Sequence, residues 1–380
     1  MPMAFAAIQA AAALVATYNQ SLYTSMKELN SNFTVSKSIE PFFNIAGEFI
    51  TDTLITGNIT VDSMKIGILD VAGTQNVLGW GYGEANSSFI SLPEALVNAG
   101  TIKSPAFSIY VEKPVYSPHT RIPEDREHGI ILFGGVNKSK YNGTLETLPI
   151  VENLTDHRKA FRVDMTGLSI NETSVLPEAF PTQALFNPSN YYTYMPDPIA
   201  NRVFSELGII ESPMFGPASI PCNLTSSGIT LTFEFGAAKF NLDIGLFIET
   251  YSMYNEKTIC YFCVSTKTDN TDANSVVLGA SFLQQIYTVY DMGNDEISLA
   301  QRNWDSSEDE ILEIVTEKHE ITTEKHAVPE AMLEGDDADN TDDSKVSGDS
   351  EDKKSVGSHI GESTGLQLSL SIFVIWSFFC

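Results

Sequence analysis

Short apolar runs broken by Gly, Asn, Asp and Pro recur along the chain from Phe42 to Gln301. Ile229–Gly236 (ITLTFEFG) alternates apolar and polar positions with a period of two, the pattern of a half-buried strand. Ile131–Gly135 (ILFGG) is an uninterrupted apolar run that stops at glycines. Ile286–Gln301 (IYTVYDMGNDEISLAQ) reads as two strands joined by a Gly-Asn-Asp turn, which predicts a hairpin. Helical stretches are few. Leu92–Gly100 and Pro196–Gly208 each combine a capping start, an amphipathic turn or two and a glycine stop. Many short strands with minor helices predict an all-β architecture.

Composition sharpens that picture. The 380 residues are 43% hydrophobic and 10% aromatic, which excludes disorder throughout and leaves room for about two domains. No central apolar run reaches the ~20 residues of a membrane-spanning helix, so a multi-pass membrane protein is excluded. There are 49 acidic against 22 basic residues, a net charge of −27. Such a surface repels phosphate backbones, and no nucleic-acid partner is expected. The charge is concentrated: Asp305–Lys354 holds 18 acids and 5 bases. That stretch reads as an acidic stalk holding a globular body off a surface.

Both chain ends carry targeting patterns. Residues 1–16 (MPMAFAAIQAAAALVA) have the apolar run and small-residue close of a signal peptide, without its early Lys or Arg. An Ala-rich opening with no targeting role fits them equally. At the other end, Leu366–Cys380 (LQLSLSIFVIWSFFC) is an apolar tail preceded by a polar spacer and the small residues Ser355, Gly357 and Ser358. Small site, polar spacer and terminal apolar tail are the pattern of a GPI-attachment signal, with attachment at Ser355 or Gly357. A tail anchor, the competing reading, carries a longer span with basic flanks.

Nine Asn-x-Ser/Thr triplets agree with a secretory route: Asn19, Asn32, Asn58, Asn86, Asn137, Asn142, Asn153, Asn171 and Asn223. The other motifs are empty. His319-Glu320 lacks the second histidine of a zinc-protease helix, since position 323 is threonine. His119, His128 and His157 stand in polar loops and suggest no metal site, and no cofactor is expected. Gly79–Gly83 (GWGYG) lacks the strand-to-helix setting of a dinucleotide fingerprint. Cys260-x-x-Cys263 lies in a strand-like TICYFCV rather than at a helix start, which argues against a redox pair.

Several segments resemble the pepsin-like aspartic endopeptidases, and among them the GPI-anchored, yapsin-like branch of fungi. They are ITDTLITGNITV, VLGWGYGEAN, SLPEALVNAGTIKSPAFSIYV, GIILFGGVNKSKYNGTLETLPI, FRVDMTGLSIN, IPCNLTSSGITLTFEFG and the long run from Val277 to Ile314. Order and spacing agree over roughly residues 42–315. The resemblance implies two β-rich lobes with a cleft for extended peptide between them. The boundaries it implies are a signal-like segment at 1–16, a truncated N-terminal lobe at 17–156 and a C-terminal lobe at 157–303. A disordered acidic stalk at 304–354 and an attachment signal at 355–380 complete the chain. It also implies a disulfide between Cys222 and Cys260, leaving Cys263 as an odd thiol.

The family's chemistry needs two carboxylates that share one proton: one activates water, the other donates to the scissile carbonyl. Its second-lobe motif, Leu-Leu-Asp-Ser-Gly-Thr-Thr-Leu-Thr-Tyr-Leu-Pro, aligns without a break on Leu185–Pro196, which reads LFNPSNYYTYMP. Asn187 occupies the aspartate position, Pro188 the serine and Ser189 the glycine. No Asp-Thr-Gly or Asp-Ser-Gly occurs anywhere in the chain. The flap hairpin is missing as well, since FNIAGEFITDT runs directly from Ala46 to Gly47. Asp52 lies on the strand after the flap and is followed by Leu54 where glycine is required, so it reads as structural. Asp291 reads as a turn residue. The expectation is a catalytically inactive homologue at the cell surface, GPI-anchored to the plasma membrane or cell wall, which either binds extended peptide or protein in the interlobe cleft if that cleft survives or serves the cell wall structurally. The alternative is an active aspartic-type endopeptidase whose first lobe is truncated or wrongly assigned in this sequence. A decaying gene whose product folds poorly is a third reading.

Overall fold

The hairpin expected at Ile286–Gln301 forms the spine of the molecule. In the computed structural model, Ile286–Asp291 pairs antiparallel with Glu296–Arg302, from Ile286 opposite Gln301 to Asp291 opposite Glu296. The Asp291 carboxylate accepts from the backbone N–H groups of Gly293 (2.9 Å) and Asn294 (3.1 Å), so this aspartate staples the turn. The structure describes residues 5–6, 25–35, 45–56, 59–69, 78–82, 90–111, 129–154, 157–177, 182–188, 190–209, 218–252, 258–266, 275–315 and 366–368. A separate unit of the chain, Glu317–Thr364, lies wholly outside them, as do Asn19, Asn58, Asn86, Ser189, Ser355 and Gly357.

Around the spine runs a six-stranded antiparallel sheet. Its order is Leu366–Leu368, Gly129–Phe133, Ala106–Val111, Ile286–Asp291, Glu296–Arg302 and Tyr141–Pro149. Strands from early and late parts of the sequence are therefore zipped into one layer. Its interior is aromatic: Tyr110 and Tyr287 stack at 5.4 Å, and Phe107 and Tyr290 at 4.9 Å. The Tyr287 hydroxyl donates to Ser108 Oγ (2.9 Å) and accepts from the Asn137 N–H (2.7 Å). Burial raises its pKa well above the ordinary phenol value, so the ring stays neutral. Arg302 is buried and satisfied, donating to the carbonyls of Val111 (2.8 Å), Asn303 (2.9 Å) and Lys140.

Separately, Lys27–Val35, Ile45–Thr56 and Ile59–Leu69 form a three-stranded meander. Ala46 and Gly47 sit inside one continuous strand, opposite Thr34 and Phe33, with no hairpin inserted between them. In the second half of the sequence, Arg162–Asp164, Gln183–Phe186, Ser275–Leu278, Thr193–Met195 and Val264–Thr266 form a five-stranded sheet. Strand Thr230–Phe235 of a neighbouring four-stranded sheet buries Leu231, Phe233 and Phe235 completely, as its alternation predicts.

Both expected helices form. Leu92–Asn98 opens on a capping box in which the Ser91 N–H donates to Glu94 Oε2 (2.8 Å). Asp197–Glu206 follows Pro196 and ends before Gly208, whose φ of 65° favours glycine. A third helix, Ala280–Leu283, carries too little sequence period to be foreseen.

The expected disulfide is present: Cys222 and Cys260 are bonded across a sequence separation of 38 residues. Cys260 lies on Thr258–Phe262, opposite Ile220 and Thr250, so the bridge fastens the Cys222–Ser226 turn to this strand. Removing such a bridge costs roughly 2–5 kcal/mol by restoring freedom to the unfolded chain. Replacing both cysteines by serine is expected to lower the calorimetric midpoint by about 3–8 °C; an unchanged midpoint would show that the packed strands alone carry this region.

Candidate functional site

The segment expected to hold the second carboxylate folds as a loop around the end of a strand. Gln183–Phe186 runs parallel to Ser275–Leu278, and Thr193–Met195 pairs with the other side of that same strand through Tyr194 and Val277. The connection must therefore pass over the C-terminal end of Ser275–Leu278. Asn187 begins the crossing, and its N–H donates to the Leu278 carbonyl (3.0 Å). The Asn190 N–H donates back to the Asn187 carbonyl (3.2 Å), closing a four-residue turn. Pro188 occupies the second position of that turn, where its fixed φ is favourable.

The far side of the loop is tied to the short helix. Ala280 and Ser281 N–H groups donate to the carbonyls of Asn190 (2.7 Å) and Tyr191 (2.9 Å). Thr193 Oγ1 and Ser281 Oγ share a buried hydrogen bond of 3.0 Å, and the Ser281 hydroxyl also reaches the Cys263 carbonyl (3.2 Å). Gly279 is the residue that permits this closeness. A Cβ there would stand 2.2 Å from the Tyr192 carbonyl oxygen and 2.8 Å from that of Asn190, both backbone atoms. No catalytic or binding motif in the sequence marks Gly279; its trace is a glycine ending the apolar run Val276–Leu278, where a strand must meet another backbone.

Chemically, this loop carries an amide, Asn187, at the position where the family resemblance leads one to expect a carboxylate. Asn187 is half-buried. A carboxamide has both donor and acceptor capacity, yet it neither takes nor releases a proton between acid and neutral pH. Proline at 188 also removes a backbone N–H beside that side chain. Tyr191, Tyr192 and Tyr194 cluster on the same loop: Tyr191 and Tyr192 meet edge-on at 5.3 Å, Tyr192 and Tyr194 at 6.3 Å. The Tyr191 hydroxyl donates to Glu249. Cys263 is a buried free thiol whose pKa is raised by burial and by the nearby Glu249 carboxylate, so it stays protonated and unreactive.

The remaining candidates are placed elsewhere. Asp52 is buried in the meander, where its carboxylate accepts from the Thr53 N–H (2.8 Å) and from Ser25 Oγ. The ITDT segment is expected to be structural, and these bonds tie the Asp52 side chain into the meander. Among the described residues no group of three or more His, Cys, Asp or Glu side chains could hold a metal ion. Of the sequon asparagines, Asn142, Asn171 and Asn223 are exposed. Asn137 is fully buried, its amide donating to Asp309 (2.8 Å) and accepting from the Glu310 N–H (3.1 Å); Asn153 is buried too. Substituting Gly279 by alanine pushes a methyl into two fixed backbone carbonyls and is expected to cost about 3 kcal/mol, an overpacking penalty at the upper end of its range. Urea titration checks this: the midpoint falls with an unchanged slope, whereas an unchanged midpoint would mean the loop can yield.

Known proteins are similar to this chain in sequence and fold. The family profile described as eukaryotic aspartyl protease matches residues 5–302. Probable aspartic-type endopeptidase opsB of Aspergillus oryzae is 30% identical over 317 residues, covering 79% of this chain and 62% of that protein. Aspartic proteinase 3 of Saccharomyces cerevisiae is 29% identical, over 79% of this chain and 53% of its own length. The chain thus spans only three-fifths or so of the first of these relatives and about half of the second. The crystal structure of the aspartic proteinase from Irpex lacteus superposes with a TM-score of 0.63 at 19% identity, covering 77% of this chain and 87% of that one. That likeness extends to the mostly β, bilobal architecture. With a family match across most of its length, a relative at 30% identity and the shared fold, the chain belongs to the eukaryotic aspartyl protease family.

Proposed function

We propose that this protein is a non-catalytic member of the aspartyl protease family, held at the cell surface by a GPI lipid and able to bind extended peptide without cutting it. One observation carries the reading: Asn187, not aspartate, begins the loop over Leu278, while main-chain hydrogen bonds to Leu278, Ala280 and Ser281 hold the described residues of the loop. A shared-proton dyad needs two carboxylates, and neither Asp-Thr-Gly nor Asp-Ser-Gly exists in the sequence to supply one. The continuous strand through Ala46 and Gly47, where the family inserts its flap, supports the same conclusion and a shortened first lobe at 17–156. Peptide binding is proposed through strand-like backbone contacts, which need no carboxylate.

The surface attachment rests on the C-terminal pattern: Ser355 or Gly357 as acceptor, a polar spacer, then Leu366–Cys380. No helix among the described residues is long and apolar enough to cross a membrane. The stalk expected over 304–354 starts later than its charge suggests, because Ile311–Glu313 pairs with Gly135–Asn137 and belongs to the body; the acidic sequence after residue 315 fits a stalk between body and lipid. Treating intact cells with phosphatidylinositol-specific phospholipase is expected to release the protein into the medium; retention in the membrane would favour a tail anchor. Glycopeptide mapping of the released protein is expected to find glycans at the exposed Asn142, Asn171 and Asn223 and none at the buried Asn137.

The competing reading, an active endopeptidase with a longer native N-terminus, is distinguished by one substitution. Asn187→Asp is isosteric and is expected to leave stability within about 1 kcal/mol of the parent. It is also expected to produce no peptide hydrolysis, because one carboxylate cannot form the dyad. Acid-pH turnover gained by this variant would reveal a first-lobe carboxylate and overturn the inactive reading. Calorimetry with an extended hydrophobic peptide, recovered intact by mass spectrometry, tests the binding claim; absence of saturable heat removes it.

A further inference from the structure

A cleft of about 240 Å³ lies between strand Tyr141–Pro149, at one edge of the six-stranded sheet, and the start of strand Ala238–Asp243. Thr144, Glu146, Lys239, Phe240, Leu299 and Gln301 are among its lining residues. We propose that this cleft is a carbohydrate seat, and that the first N-acetylglucosamine of an N-glycan on Asn142 occupies it. The secretory reading is needed only to put a glycan on Asn142; the seat is a feature of the fold.

The acceptor stands at the rim of the cleft. Asn142 lies opposite Gln301 across the sheet, so their side chains share a face, and Thr144 of the Asn142-Gly143-Thr144 triplet is itself part of the lining. The register shifts at this point: Leu299 faces Glu146 and Gln301 faces Asn142, which sets Gly143, Thr144 and Leu145 against Ala300 alone. Such a bulge re-aims the side chains beside it. Gly143 has a φ of 76°, and a Cβ there would meet nothing within 4 Å, so the space beside Asn142 is open. The Asn142 amide nitrogen lies 3.5 Å from the Arg302 carbonyl oxygen. An N-linked amide keeps one N–H, so a sugar on Asn142 does not forfeit that contact.

The lining suits a single sugar ring. Hydroxyl and acetamido groups both donate and accept hydrogen bonds, and the exposed Glu146, Lys239 and Gln301 present both kinds of partner. Glu146 Oε1 accepts from Thr144 Oγ1 (3.2 Å) and Lys239 donates to Glu234 (2.7 Å), which holds the two charged groups in place. Phe240 and Leu299, almost fully buried, give the apolar side on which ring C–H groups and the acetyl methyl can lie. The volume falls below the roughly 300–1,000 Å³ of pockets for drug-sized ligands, which favours one monosaccharide. So small a contact is weak between free molecules. Attachment to Asn142 makes it intramolecular, at an effective concentration of about millimolar, so the chain's own glycan fills a seat too weak for free sugar. Asn171 and Asn223, the other exposed acceptors, do not line the cleft.

Endoglycosidase H, which cuts between the first two sugars of a high-mannose glycan, tests this on the folded full chain, with glycopeptide mass spectrometry following each acceptor separately. The Asn142 glycan is expected to be cut about tenfold more slowly than those on Asn171 and Asn223, the ratio that nine-tenths occupancy of the seat gives. Denaturing the same protein is expected to make the three rates equal. Glu146→Ala combined with Lys239→Ala removes only exposed groups and is expected to bring the Asn142 rate in the folded protein up to the other two. Equal rates in the folded parent, an unchanged slow rate in the double variant, or glycans on Asn171 and Asn223 with none on Asn142 overturns the proposal and leaves the secretory reading standing. A chain without a glycan at any of the three removes both. Failure of phospholipase to release the protein touches the anchor alone.

Discussion

The pairing of Ile286–Asp291 with its neighbours is the constraint on which the rest of the structure depends. One side of this strand is bonded to Ala106–Val111 and the other to Glu296–Arg302, so residues almost two hundred positions apart form one ladder. Such long-range pairing carries a high loop-closure cost and is retained only because it buries a dense aromatic layer. Tyr82 then joins the layer to the second half of the chain. Its hydroxyl donates to Asp295 in the hairpin turn (3.0 Å), and Lys159 pairs with the same carboxylate while lying 4.8 Å from the Tyr82 ring. A turn, an early loop and the start of the second half meet at one acidic side chain.

This frame holds the shape of the Asn187 loop without an ionisable group at that position. The position of Asn187 is fixed by main-chain bonds to Leu278 and Asn190, not by a carboxylate. Gly279, Thr193 and Ser281 fix the other half of the crossing by close backbone approach and a buried hydroxyl pair. None of these contacts requires an ionisable group at 187. An amide can therefore occupy the site without the penalty of an unpaired buried charge. The proline at 188 completes a turn that is conformationally favourable and poor in donors.

Much of this was legible in the residues, for physical reasons that differ by element. ITLTFEFG alternates because only one face of Thr230–Phe235 is buried. Ser91 and Glu94 announce a helix start because their side chains satisfy local donors. The Cys222–Cys260 bridge and the place of Asn187 came through family resemblance, since spacing alone assigns neither. What stayed hidden is non-local. Gly279 looks like any strand-ending glycine until Tyr192 is seen against it, and Asn137 looks like any sequon until Asp309 and Glu310 enclose it.

The central claim is that an aspartyl protease frame persists here without its proton-transfer pair. Its most direct test is cleavage of an unbiased peptide library by the purified, unsubstituted protein at about pH 3–6, read by mass spectrometry with and without pepstatin, over the acid range where a proton-sharing carboxylate pair is active. The account predicts no new peptide termini beyond those of a protein-free control. Pepstatin-sensitive termini would contradict it and would require a carboxylate dyad that does not involve Asn187.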